Sequence, residues 1–117
     1  MLFMILVKAS LNSEGRQRPH PKLNEAMTNY NHQLIDAGVR VMAKGLHPTS
    51  NAIRLHYLKE DEAPVQTKGP FLEAKDQVAG FFLIEVKSKE EAIQWALKCP
   101  DPQGDGEGCI ELRQVFE

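Results

Sequence analysis

LFMILVKA, residues 2–9, is the stretch that decides the fold, because its apolar side chains occupy both faces of a strand. Successive side chains of a strand point to opposite faces, so a run without polar alternation has two apolar faces. This pattern is typical of a strand covered on both sides at the centre of a sheet. The stretch GFFLIEV, residues 80–86, repeats it. We therefore predict two central strands, one near each end of the chain.

Two helices are predicted beside these strands. From about Pro21 the apolar residues recur at helical spacing, and Gly38 follows them as a C-terminal stop. Ser88 and Glu91 have the spacing of a capping box, in which each side chain caps a backbone amide of the other residue. Pro100 ends this second helix.

Four further segments read as strands. Val39, Val41 and Ala43 alternate with more polar residues, which predicts a strand with one less buried face. Residues 53–57 and 65–67 read as an inserted hairpin, and residues 110–115 alternate as a last strand.

The order of these elements predicts an α+β fold with a ferredoxin-like split βαβ antiparallel sheet and an inserted β-hairpin. Both helices pack on one face of such a sheet, so the other face would present apolar side chains such as Phe3 or Phe82 to water. A second copy of the chain is the simplest cover. We therefore expect a homodimer formed through the sheet face opposite the helices.

Length and composition exclude several classes of protein. The 117 residues suffice for one domain. The 16 acidic and 14 basic residues nearly balance, so the chain lacks the excess of positive charge that binding to nucleic acid or an anionic membrane requires. Residues 1–7 are too short for a membrane span and lack the basic region of a signal peptide, so a cytoplasmic location is expected. Cys99 and Cys109 form no CxxC pair, and we expect reduced thiols, no metal and no cofactor.

Several short motifs, in order along the chain, resemble the YCII-related proteins. They include Thr67-Lys68-Gly69-Pro70-Phe71, Gly45-Leu46-His47-Pro48-Thr49 and Val86-Lys87-Ser88-Lys89-Glu90-Glu91-Ala92-Ile93. The first of these is similar to the motif of the branch named for Asp-Gly-Pro-Phe, here called the DGPF branch. The resemblance covers nearly the whole chain, so residues 1–117 are identified as one YCII-related, DGPF-type domain.

This resemblance implies a ferredoxin-like subunit that pairs into a dimeric α/β barrel, and it implies no particular reaction. Two positions depart from the family pattern. Lys68 stands where the motif has Asp, and Lys44 stands where the family usually has Glu before Gly-Leu. Acid chemistry assigned to those family positions therefore cannot be transferred to this chain.

The candidate catalytic residues are His47, Lys68 and Glu73. His47 lies in a loop between two strands, where a neutral imidazole can act as a general base, the alternative being a partly exposed histidine hydrogen-bonded to local backbone. Lys68 precedes Gly69-Pro70 and can bind a carboxylate or phosphate, the alternative being a solvated loop lysine. The wider set of expected ligand-binding residues is Lys44, Lys68, Gly69, Pro70, Phe71, Lys75 and Glu85.

Glu85 is the most informative acid, because it lies between apolar neighbours on a central strand. A carboxylate buried there needs a partner, and Arg113 on a neighbouring strand is the expected one. Alternation also places Glu85 on the face opposite Phe82 and Ile84.

Three functions remain open at this point. The first is a homodimer that binds a small organic acid or anion in a pocket between the sheet and the hairpin. The second is a cofactor-free enzyme that uses acid/base chemistry at a His/Lys/Glu pocket. The third is an accessory or regulatory module that acts through a protein partner.

Overall fold

A computed structural model gives the fold for residues 1–10, 13–14, 21–72, 77–104, 106 and 108–117. Within these residues six strands and two helices follow one another along the chain. Their bounds are β1 Leu2–Lys8, α1 Pro21–Asp36, β2 Arg40–Gly45, β3 Ile53–His56, β4 Val65–Lys68, β5 Val78–Glu85, α2 Lys89–Leu97 and β6 Ile110–Gln114. A short 3-10 turn, Thr49–Asn51, links β2 to β3. Neither helix has the length and apolar character needed to cross a bilayer, among the residues described.

The main sheet has the strand order β2-β5-β1-β6, with every neighbouring pair antiparallel. The two strands that are apolar on both faces, β1 and β5, therefore occupy the centre, as predicted. This order is compatible with the ferredoxin-like split βαβ arrangement. The edges β2 and β6 lie at opposite ends of the order, and the sheet does not close.

One face of the sheet packs under both helices. Phe3 and Ile5 of β1 and Ile84 of β5 are almost fully buried there, together with Leu34 of α1 and Ala92 of α2. Phe82 is also part of this core. The expectation that Phe3 or Phe82 faces water on the open side is thus wrong, because both point toward the helices.

Tyr30 joins the two helices to the sheet. Its ring is buried and packs edge-on against Phe82, with 5.2 Å between the ring centroids. Its hydroxyl donates a hydrogen bond to the Trp95 carbonyl of α2 over 2.7 Å. Burial raises the pKa of this phenol above its ordinary value, so the hydroxyl stays a donor at neutral pH.

The helix ends largely follow the local sequence. Gly38 adopts a φ of +74°, and the amides of Gly38 and Val39 donate to the carbonyls of Ile35 and Leu34 in a Schellman arrangement. At the start of α2 the Glu91 amide donates to Ser88 Oγ, as predicted. The Glu91 carboxylate, however, accepts from the amide of Lys87 rather than from that of Ser88.

A register shift in β2 changes the predicted alternation. The pairing with β5 slips between Arg40 and Met42, so Val41 is displaced outward and is 51% exposed. Val39 is buried and Ala43 packs against the core. The predicted common face of these three residues therefore holds for Val39 and Ala43 only, because a bulge leaves one residue unpaired.

The face of the sheet opposite the helices is half-buried and mostly apolar. Its centre is a set of large side chains from three neighbouring strands, hereafter the open face: Leu2, Met4, Leu6, Met42, Phe81 and Leu83. Its margin on β6 carries Glu111 and Arg113, which are joined by a 3.2 Å ion pair.

The inserted hairpin forms a separate two-stranded sheet. Strands β3 and β4 pair antiparallel from Ile53 opposite Lys68 to His56 opposite Val65. Every residue of both strands is exposed. We refer to residues 53–68 as the arm.

Candidate functional site

The predicted site segments meet at the base of the arm, around Thr49. This residue is buried, and its amide and hydroxyl both donate to the carboxylate of Glu14. The Phe71 amide in turn donates to Thr49 Oγ1 over 3.1 Å. The loop that contains His47 and the Gly69-Pro70-Phe71 motif are thus brought together through one threonine side chain.

Gly69 fits against the backbone of the same turn. Its amide donates to the Ala52 carbonyl over 2.9 Å. A Cβ atom at this position would lie 1.6 Å from the Thr49 carbonyl oxygen, far inside van der Waals contact. The absence of a side chain at Gly69 is therefore required by close backbone approach.

The Arg54 guanidinium lies over the aromatic ring of Phe71. The Phe71 side chain is buried, and the Arg54 guanidinium carbon lies 3.7 Å from the ring centroid. Arg54 Nη2 also donates to Gln77 Oε1 over 2.9 Å. Sequence reasoning missed Glu14, Thr49 and Arg54, because their spacing along the chain gives no sign that they meet Phe71.

The charged side chains that we predicted for the site are exposed and point in different directions. His47 and Lys68 are exposed, and Lys68 pairs with Ile53, on the arm face opposite Arg54. Lys44 pairs with Phe81 at the edge of the open face. Glu73 and Lys75 lie outside the described residues.

Glu85 does lie on the face opposite Phe82 and Ile84, as alternation predicted. Its carboxylate, however, is exposed at the end of β5, opposite Leu2. Arg113 pairs with Glu111 instead. The expectation of a buried Glu85 held by Arg113 is wrong, because β5 ends at this residue and leaves it at the rim of the sheet.

A cavity of about 330 Å³ lies between α1 and the strands β2 and β5. Its walls are mainly apolar, with Val7, Ala43 and Phe82 from the sheet and Met27 from α1. Thr28, Asn31 and Lys44 supply the polar part of the lining. The volume and the apolar walls are those of a site for a small organic molecule.

Two residues of the lining, Gly80 and Asn31, have unusual surroundings. Gly80 forms part of its lining, and a Cβ there would lie 2.7 Å from the Lys44 carbonyl oxygen. Asn31 Oδ1 is buried, and it accepts no hydrogen bond from the described part of the chain. A buried acceptor without a donor is costly, so Asn31 is the lining residue that a donor from outside the chain would satisfy.

A second cavity, of about 340 Å³, adjoins the first. Both are lined by Val7, Met27, Gly45 and Ala79, and the second continues toward Ser10 and Pro102. Together they form a groove along the first half of α1, hereafter the α1 groove. His47 and Lys68 line neither cavity. In the described residues no group of three His, Cys, Asp or Glu side chains is arranged to hold a metal ion.

Comparison with known proteins identifies the family. The sequence model of the YCII-related domain matches residues 1–117. The chain belongs to the YCII-related domain family. No curated protein matches it significantly. One similar solved structure is 5-chloro-2-hydroxyhydroquinone dehydrochlorinase (TftG) from Burkholderia phenoliruptrix AC1100, in complex with 2,5-dihydroxybenzoquinone. The match covers 99% of this chain and 94% of that chain, with a TM-score of 0.49 and 15% sequence identity.

The two thiols of this YCII-related protein are unpaired and lie in different surroundings. Cys99 packs against the core beside α2, and burial raises the pKa of its thiol to about 11. Cys109 is exposed immediately before β6.

This difference predicts selective alkylation. The thiolate is the reactive species, and a pKa of about 11 leaves roughly one Cys99 in a thousand ionised at pH 8. We expect iodoacetamide to label Cys109 at least tenfold faster, with the Cys99 rate rising steeply toward pH 11, as peptide mass spectrometry would show. Equal rates at pH 8 would mean that Cys99 is not buried in solution.

Proposed function

We propose that this YCII-related protein is a homodimer that binds a small organic molecule in the α1 groove. The observation that carries the proposal is the largely apolar cavity lined by Asn31, whose buried Oδ1 accepts no hydrogen bond from the described residues. A ligand hydroxyl placed there would satisfy this acceptor, while the rest of the ligand would replace water against Met27, Ala43 and Phe82.

The ligand chemistry follows from the same lining. An apolar body of about ring size fits a cavity of about 330 Å³, which lies within the usual range of roughly 300–1,000 Å³ for ligand pockets. The unsatisfied atom is an acceptor, so it favours a neutral hydroxyl over the organic acid or anion expected from the sequence. Binding of an acid would require the amide to rotate and present Nδ2.

Exposure of the candidate catalytic groups favours binding over catalysis. A general base or a nucleophilic lysine is usually activated by burial or by a neighbouring charge. The side chains of His47 and Lys68 are exposed, and neither residue lines the α1 groove. This supports ligand binding over the alternative of a cofactor-free acid/base enzyme at those residues.

The surface of the chain supports the homodimer. It exposes 8275 Å², whereas a compact monomer of 13.2 kDa exposes roughly 6,400 Å². The excess of about 1,900 Å² lies within the roughly 1,000–2,500 Å² that each partner buries in an obligate homodimer. The open face supplies a continuous apolar surface, and two such faces packed together form the dimeric α/β barrel of the proposed assembly.

The branch and the location are part of the same proposal. Lys68-Gly69-Pro70-Phe71 supports membership of the DGPF branch, with Lys68 in place of the motif Asp. Its backbone role against Thr49 does not depend on the charge at position 68. A cytoplasmic location agrees with two free cysteines.

Asn31→Leu separates a binding role from a structural one. The change removes a buried acceptor and keeps the side-chain volume, so we expect the free energy of unfolding to rise by about 1 kcal/mol. Affinity for cyclohexanol, measured by NMR titration of the Ala43 and Gly80 amides, should fall at least fivefold. A gain in stability with a loss of affinity is the signature of a residue retained for its ligand.

Asn29→Leu is the matched control, because Asn29 lies on the same helix and is exposed. It should change affinity less than twofold. Cyclohexanecarboxylate is the anionic probe. Tighter binding of the carboxylate would overturn the choice of a neutral ligand but keep the groove. Failure of both probes to shift the groove amides would reject the binding function and favour the accessory module.

A further inference from the structure

The arm exposes several large apolar side chains to water. Ile53 and Leu55, on the face of the arm that also carries Lys68 and Gln66, are 58% and 48% exposed, and Tyr57 and Leu58 just after β3 are 76% and 74% exposed. Val65, which is 50% exposed, lies on the opposite face with His56. Large apolar side chains that are clustered and exposed in this way mark a surface that another molecule covers.

The arm is also poorly supported by its own pairing. An isolated two-stranded hairpin is marginally stable at best, and a third strand or a packed face is needed to hold it. Among the described residues, the hydrogen bonds that anchor it lie at its base, from Gly69 to Ala52 and from Arg54 to Gln77. The ordered hairpin beyond that base therefore calls for packing from outside the protomer.

The shape of the molecule agrees with a projecting arm. The radius of gyration is 16.0 Å, against about 13 Å for a compact chain of this length. The principal extents are 47 × 38 × 19 Å, so the molecule is long and flat.

We infer that the arm of each protomer packs its Ile53 and Leu55 face against the second copy of the chain. This rests on the homodimer proposed above and names an element that holds it together. We infer a second copy of the chain as the covering molecule because the arm continues the open face. Met42 in the edge strand β2 and Leu46 just after it are both exposed, and they connect the open face to the arm. The surface excess of about 1,900 Å² per chain also has the size of a homodimer interface.

Twofold symmetry makes the contact reciprocal. Each dimer then contains two arms, and each arm lies against the partner. One substitution in the arm accordingly changes the interface at two places.

Leu55→Lys tests the arm. Leu55 is half exposed within the protomer, so a lysine there leaves the protomer fold intact but places a charge in each of the two arm contacts. In sedimentation velocity over a concentration series, we expect the dissociation constant of the dimer to rise at least tenfold. Hydrogen exchange at the β3 and β4 amides should accelerate at least tenfold, while exchange in β1 stays unchanged.

Leu97→Lys is the matched control, since Leu97 is 74% exposed at the end of α2, on the helix side of the sheet. It should leave the dissociation constant within twofold of the wild-type value. A wild-type dimer that Leu55→Lys does not weaken would overturn the role of the arm and leave the sheet-face dimer in place. A wild-type chain that is monomeric at every concentration would reject the homodimer and the arm contact together, without affecting ligand binding in the α1 groove.

Discussion

Gly69→Ala is expected to lower the free energy of unfolding by about 3 kcal/mol or more. The added Cβ would lie 1.6 Å from the carbonyl oxygen and 2.6 Å from the carbonyl carbon of Thr49. Both atoms belong to backbone, so the turn itself must move. That movement breaks the bonds through which Thr49 ties Glu14 to Phe71. Denaturant unfolding monitored by circular dichroism measures the loss.

Gly45→Ala is the matched control for this prediction. Gly45 lies at the end of β2, where an added Cβ would meet the Ala79 carbonyl oxygen at 3.9 Å, an ordinary contact. We expect a change of less than about 1 kcal/mol. Similar losses for the two variants would show that Gly69 is not packed against Thr49.

Phe3→Ala is expected to cost about 3–5 kcal/mol of stability. The Phe3 side chain is 2% exposed and packs in the core between the sheet and the helices. Its removal leaves a cavity that the surrounding strands cannot fill, because β1 is held by neighbours on both sides. The midpoint of denaturant unfolding, at one protein concentration for all variants, measures the effect.

Phe116→Ala provides the comparison, because the Phe116 ring is fully exposed near the C-terminus. Its removal should change stability by less than about 0.5 kcal/mol. If Phe3→Ala proved equally mild, Phe3 would not be packed between the sheet and the helices.

The strand and helix positions could be predicted because they depend on local patterns. Two stretches that are apolar on both faces mark β1 and β5, and these strands occupy the centre of the sheet. Gly38 and Ser88 mark helix ends through backbone geometry and amide capping that involve only near neighbours.

The choice of face could not be predicted from the same patterns. A strand that is apolar on both sides gives no sign of which side meets the helices, so the pattern does not show that Phe3 and Phe82 point toward them. The bulge between Arg40 and Met42 likewise shifts Val41 without a local signal.

The sequence by itself determined the α+β class, the order of the elements and the family. The tertiary structure alone decided that Glu14, Thr49 and Phe71 meet at the base of the arm, that Glu85 lies exposed at the rim, and that Asn31 faces a cavity. The reason is physical: periodicity and capping depend on residues a few positions apart. A cavity or a buried bond forms only when segments distant in the chain close upon one another.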